Sequence, residues 1–168
     1  IELPTWLGDT TMATPAIENL LSYYENPEVT LIGSNISVEI LKNHPRVKIA
    51  QVLDKSYKSI YKMSKSLGKF EAFFSFRGSL RSKYLKILIV SNNKFQFNAK
   101  KYRNLHLVEK YNSFINDSLN SEFKAGKLKL NIDKQSNRFN HSVQLVGINP
   151  GASYGDSKRW YPNEFAKV

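Results

Sequence analysis

The chain opens with Ile1-Glu2-Leu3-Pro4-Thr5-Trp6-Leu7-Gly8-Asp9-Thr10, and a periodic run from Thr14 to Tyr24 follows. Ile1 to Leu3 reads as the tail of a strand, and Pro4 to Asp9 as a loop. From Thr14 onward, Ala16, Ile17, Leu20, Leu21 and Tyr24 recur at the three- and four-residue spacing of an amphipathic helix. Pro15 suits a first helical turn, with Thr14 as its cap and Thr10 to Ala13 as an earlier kinked turn. Strand, loop and helix in that order make one unit, and the remaining chain repeats it.

Asn26-Pro27 ends the first helix. The sequence then predicts strands over Val29–Ile32, Val47–Leu53, Glu71–Phe76 and Phe95–Phe97. It predicts helices over Ile36–Leu41, Lys55–Leu67, Ser79–Ile89 and His106–Leu119. Ile60, Met63 and Leu67 form the inward stripe of the second of these, and Gly68 ends it. Between Asn120 and Ser142 the composition turns polar, with only Leu128, Leu130 and Ile132 alternating, which predicts a linker with a short strand. Val143 begins a further strand, Asn149 to Arg159 a loop, and Pro162 a helix. Strands alternating with helices give an α/β fold: a Rossmann-like parallel sheet flanked by helices. Ligands of such sheets bind at the carboxyl ends of the strands, where the loops Pro4–Asp9 and Asn149–Arg159 lie.

The chain has 168 residues, 41% of them apolar and 23% charged, as in an ordinary globular protein. There are no cysteines, which excludes disulfides and thiolate metal sites. His44, His106 and His141 show no metal-ligand spacing and are expected to be structural or solvent-facing. No apolar run is long enough to span a bilayer, and no signal peptide is visible. Lysine and arginine number 25 against 14 aspartates and glutamates. That excess favours an anionic partner: nucleic acid, an anionic membrane surface or a phosphorylated substrate. The alternative is a basic surface with no assigned partner.

Three stretches carry candidate chemistry. Gly147-Ile148-Asn149-Pro150-Gly151-Ala152-Ser153-Tyr154-Gly155-Asp156-Ser157-Lys158-Arg159 fails the P-loop pattern, because only three residues separate Gly151 from Gly155. It still brings glycines, a following helix start and two cations together, which suits phosphate; the alternative is an ordinary glycine-containing turn. Asp9 is either the cap of the first helix or a carboxylate aimed into a cleft. In Phe76-Arg77-Gly78-Ser79-Leu80-Arg81-Ser82-Lys83 the cations gather at a helix start, against the helix dipole. A locally unfavourable choice of that kind hints at an anionic ligand; the alternative is a set of solvated surface cations.

Taken together, LPTWLGDTTMATPAIENL and INPGASYGDSKRWYPNEFAKV resemble the two signature regions of the bacterial ADP-heptose:lipopolysaccharide heptosyltransferases, glycosyltransferase family nine. The nearest branch is heptosyltransferase II. SFRGSLRSKYL and HLVEKY fall where that family has its Ser-x-(Arg/Lys)-Ser and His-Leu-x-(Glu/Asp)-x-Tyr helices.

The resemblance implies a two-domain GT-B enzyme. Residues 1–140 would be the acceptor-binding domain, lacking its first few residues. Residues 141–168 would be the first strand, phosphate loop and helix start of the nucleotide-sugar domain, the rest being absent. It implies inverting, metal-independent heptose transfer from ADP-L-glycero-β-D-manno-heptose to an inner-core heptose, with no cofactor. Asp9 would be the base. Gly151, Ala152, Ser153 and Lys158 would hold the donor diphosphate, and Trp6, Arg77, Arg81 and Lys83 the anionic Kdo/heptose-lipid A acceptor.

Some relatives carry threonines where this loop has Gly151-Ala152, so donation there would come mainly from backbone amides. The setting implied is the cytoplasmic face of a Gram-negative inner membrane, with no nucleic acid partner. The alternatives are heptosyltransferase I or III, or a basic nucleotide- or nucleic-acid-binding module. A kinase is disfavoured by the failed P-loop. Residues 1–168 alone are expected to lack transferase activity.

Overall fold

In the computed structural model, residues 1–54, 56–131, 147, 151, 158–159 and 161–167 are described. The chain divides into two units, residues 1–133 and 134–168.

In the first unit, helix α1 runs over Leu7–Tyr23, strand β1 over Val29–Gly33, α2 over Asn35–Leu41 and β2 over Val47–Val52. Then come α3 (Tyr57–Ser66), β3 (Lys69–Ser75), α4 (Leu80–Leu88), β4 (Val90–Gln96) and α5 (Leu107–Leu119). β1 pairs with β2, and β3 with β4, both in parallel. Glu2 makes parallel bridges to Ile32 and to Ser75, so the segment 1–3 joins the two pairs. The order across the sheet is β2, β1, segment 1–3, β3, β4. The Rossmann-like parallel architecture read from the sequence is the one observed.

Successive side chains of a strand point to opposite faces, and this sorts the core into two clusters. Leu31 and Phe74 point to the side of α1, α2 and α5, where Ala13, Ile17, Val38, Tyr111 and Phe114 are buried. Their neighbours Ile32 and Phe73 point to the side of α3 and α4, against Ile60, Met63, Leu85 and Ile89. The first cluster is the larger and holds an aromatic nest in which Phe114 contacts Phe74, Phe76 and Phe97 edge-on.

Several expected boundaries move. Helix α1 begins at Leu7 rather than Thr14, so Pro15 lies inside it. Proline has no N–H for the Thr11 carbonyl, but the Thr14 hydroxyl donates to that oxygen at 2.8 Å. The local bond replaces the missing one, and the helix passes through the proline. β4 is longer than expected, because its polar residues Ser91 to Lys94 need only backbone partners to pair with β3. No strand forms over residues 121–131. Side-chain amides serve that stretch instead: Asn112 and Asn116 donate to the Phe123 carbonyl, and Asn19 to that of Lys124. Ile132 and the strand expected from Val143 lie outside the described residues. Gly68, with φ of +71°, follows α3 in the conformation that suits glycine best.

In the second unit, α6 spans Pro162–Phe165 with proline in its first turn, as the sequence predicted.

Candidate functional site at the carboxyl edge of the sheet

The chain leaves segment 1–3 toward β1 on one side, and later returns to place β3 on the other. Crossovers therefore diverge at this segment, and the carboxyl edge between it and β3 is the topological switch point, where open α/β sheets bind ligands. Two features flank it: the start of α1 after Leu3, and the loop from Phe76 to Ser79 that leads into α4.

The first of these is pinned from several sides. The Pro4 carbonyl accepts the hydroxyls of Ser37 and Thr10, and the Thr5 carbonyl accepts that of Ser34. Trp6 occupies the cap position of α1 with no side-chain cap bond, and its own side chain is 69% exposed. Asp9 is the third helical residue, half-buried in the first turn. It is therefore not the cap of its helix, which removes one of its two expected roles. An acid in that turn still complements the helix dipole. Across from it on α5, burial pushes the Tyr111 phenol well above its usual range, and the charge of Asp9 adds to the effect. Tyr111 closes the HLVEKY motif, so the structure places that motif beside Asp9.

Sequence reading missed the centre of the second feature. Glu2 is fully buried, and its carboxylate accepts the hydroxyls of Ser75 at 2.6 Å and Ser82 at 2.8 Å. Arg77 Nη1 stands 3.6 Å from Glu2 Oε1, with the arginine side chain 19% exposed. Desolvation pushes the Glu2 carboxyl above its ordinary range, against the pull of the two serines and Arg77. The available signal was one acid amid the apolar residues of Ile1-Glu2-Leu3.

Glu2 also accounts for part of the basic cluster. Through Ser82 its negative charge lies at the start of α4, where the helix dipole favours it. Arg77 thus has an internal counter-charge; in the following turn Lys83 is exposed and Arg81 half-buried. The backbone of Arg77 is fixed as well, since its carbonyl accepts Ser75 Oγ and Gln96 Nε2. A Cβ at Gly78 would meet the Phe97 carbonyl at 3.3 Å, so glycine lets the loop lie against the end of β4. Ser79 caps α4 by accepting the Ser82 N–H at 3.2 Å.

The other expectations separate cleanly. His44 is buried and its Nε2 lies 3.1 Å from Glu18, a structural role; His106 caps α5. His141 lies outside the described residues. Of the expected donor-loop residues, Gly151 and Lys158 are exposed in the second unit. Ala152 and Ser153 lie outside the described residues. Among the described residues, no three or more His, Cys, Asp or Glu side chains gather as a metal site would require. A cavity of about 360 Å³ lies at the opposite, amino ends of β1 and β3, lined by Val29, Thr30, Phe70 and Ala72. It takes no part in the carboxyl-edge site.

A parallel α/β unit with a carboxylate and a basic helix start at its switch point is the class that these features define. No family model matches the chain. Two curated relatives do match, both named lipooligosaccharide heptosyltransferase 2 and both from Campylobacter jejuni. One, from serotype O:2, is 37% identical over 172 aligned residues; the other, from serotype O:6, is 35% identical. Each match covers all of this chain and 54% of the relative, so the chain spans about half the length of these proteins.

Among solved structures, E. coli heptosyltransferase WaaC with ADP-2-deoxy-2-fluoro heptose matches with a TM-score of 0.58 at 14% identity. It covers 76% of this chain and 50% of that one. The same enzyme with ADP matches with a TM-score of 0.54. The likeness in structure shows a shared fold. With the sequence matches, it bears out the resemblance to heptosyltransferases carried by the motifs.

Proposed function

We propose that this chain is the acceptor-side half, with the opening of the donor side, of an enzyme that transfers heptose from ADP-heptose to the inner core of lipooligosaccharide, in the manner of heptosyltransferase II. The observation that carries this reading is the match along the whole chain to two relatives of that name. The geometry agrees with it, because Asp9 and the start of α4 flank the one edge where such a sheet takes ligands.

In this mechanism the acceptor hydroxyl gives its proton to the Asp9 carboxylate as its oxygen attacks the anomeric carbon of the donor. The bond from that carbon to the diphosphate breaks, ADP leaves with the electron pair, and the configuration inverts. Gly151, Ala152, Ser153 and Lys158 hold the departing diphosphate through amides, a hydroxyl and a positive charge. Arg77, Arg81, Lys83 and Trp6 hold the anionic acceptor. No metal is needed when the protein supplies these donors. The enzyme works at the cytoplasmic face of the inner membrane, where its lipid-linked acceptor resides.

Asp9→Asn in the complete protein tests the assignment. Asparagine cannot take the proton, so turnover should fall by roughly 10²–10⁴ while melting temperature and donor affinity stay near wild type. Turnover within threefold of wild type would end the role of Asp9 as base.

A further inference from the structure

The positive charge of the first unit is not spread evenly over its helices. α3 and α4 together carry Lys58, Lys62, Lys65, Arg81, Lys83 and Lys86, and no acid. On the opposite side of the sheet, α1, α2 and α5 carry Asp9, Glu18, Glu39, Glu109 and Asp117 against Lys110 alone. α3 and α4 share one buried cluster, and Tyr57 meets Tyr84 edge-on at 5.2 Å between ring centres, so the outer ridges of the two helices adjoin. Lys58, Lys62 and Lys65 follow one another at four- and three-residue spacing on the exposed side of α3. Like charges at that spacing repel, and no acid on either helix relieves them.

Apolar groups stand among these cations. Ile87 is 74% exposed and Leu80 75%, both on α4, while Tyr57 and Tyr61 are about half exposed on α3. Flat aromatic rings beside cations, as Tyr57 and Tyr61 are here, also suit stacking on nucleic-acid bases, so the aliphatic tips decide between the two partners. Leu80 and Ile87 have no such face, and what they gain from is transfer into hydrocarbon. Cations that seek phosphate, aliphatic tips that seek acyl chains and tyrosines between them are together the chemistry of an interfacial surface.

We propose that the outer face of α3 and α4 docks on an anionic phospholipid bilayer. The proposal gives a place on the molecule to the membrane partner of the reading above and rests on that reading for its biological setting. Its test reads binding alone, so loss of catalysis elsewhere leaves it standing.

The complete protein is titrated with phosphatidylcholine vesicles made with and without phosphatidylglycerol, at low and high salt. Binding should require the anionic lipid and weaken with salt. The triple variant Lys58→Ala, Lys62→Ala, Lys65→Ala should lose about a hundredfold in affinity, and Ile87→Ser about tenfold. A control triple, Lys42→Ala, Lys48→Ala, Lys101→Ala, removes the same charge from lysines that pair with Glu39, Glu28 and Asp117. It should stay within threefold of wild type. Circular dichroism melts confirm that each variant is folded. Equal losses in both triples would reduce the surface to diffuse net charge and overturn the proposal. So would wild-type protein that ignores anionic vesicles, or that binds an oligonucleotide through the same lysines in preference to lipid.

Discussion

The two helical layers of the first unit contrast in what they contribute. α1 buries Thr10, Ala13, Thr14, Pro15, Ala16, Ile17 and Leu20, which covers nearly every side of the helix. It has neighbours to match: α2, α5, the sheet and, through the Lys129 amide on Thr14, the stretch before residue 131. α3 and α4 bury far less each, with Ile60, Met63 and Ser64 on one and Ser82 and Leu85 on the other. The first layer holds the fold together, and the second leaves a long exposed ridge that the sequence has filled with lysine. A helix covered on most sides can carry charge only where its side chains still reach water, as Asp9 and Glu18 of α1 partly do, since burying an unpaired ion is costly. The helices with the thinnest packing are the ones that carry cations and no acid.

That contrast can be broken by experiment. After Asp9→Asn, the largest effect expected is on the crowded layer. Phe114→Ala removes a ring that touches three others and should cost about 3–5 kcal/mol in denaturant unfolding of the complete protein. Lys62→Ala on the open layer should change stability by less than about 0.5 kcal/mol. Similar costs at both positions would mean that the layers do not differ as described.

The next effect lies at the boundary between the layers, where Glu2 holds Arg77. Arg77→Ala combined with Glu2→Gln leaves no buried carboxylate stranded without its cation. If Arg77 also touches the acceptor, the acceptor KM of the double variant should rise about tenfold above that of Glu2→Gln alone, with donor KM unchanged. An unchanged acceptor KM would leave Arg77 as the internal partner of Glu2 and nothing more.

The smallest effect tests how α1 tolerates its proline. Thr14→Val keeps the shape of the side chain but loses the bond to the Thr11 carbonyl and the acceptor for Lys129. It should cost about 1 kcal/mol, because the Thr11 carbonyl loses the donor that stands in for the missing amide. A neutral result would show that α1 needs no local replacement for the bond that Pro15 cannot make.

The sequence alone was enough for the alternation of elements and the parallel sheet, and it pointed to the carboxyl edge as the place for the candidate site. Each of these follows from periodicity and from the handedness of crossovers, which are local or generic. The motifs around Asp9 and the start of α4 were equally legible, because a helix start is encoded within a few residues: Ser79 caps, and cations follow.

Only the tertiary structure decided three further matters. Helix α1 reaches back to Leu7 because a hydroxyl replaces one missing amide, and propensity rules treat proline as a boundary. Glu2 came to light only when segment 1–3 lay between two strands, since its serine partners are 73 and 80 residues away in sequence. The division of charge between the two layers likewise depends on which helix lies on which face of the sheet. Composition reports a net charge, whereas the direction of each crossover determines where that charge is displayed.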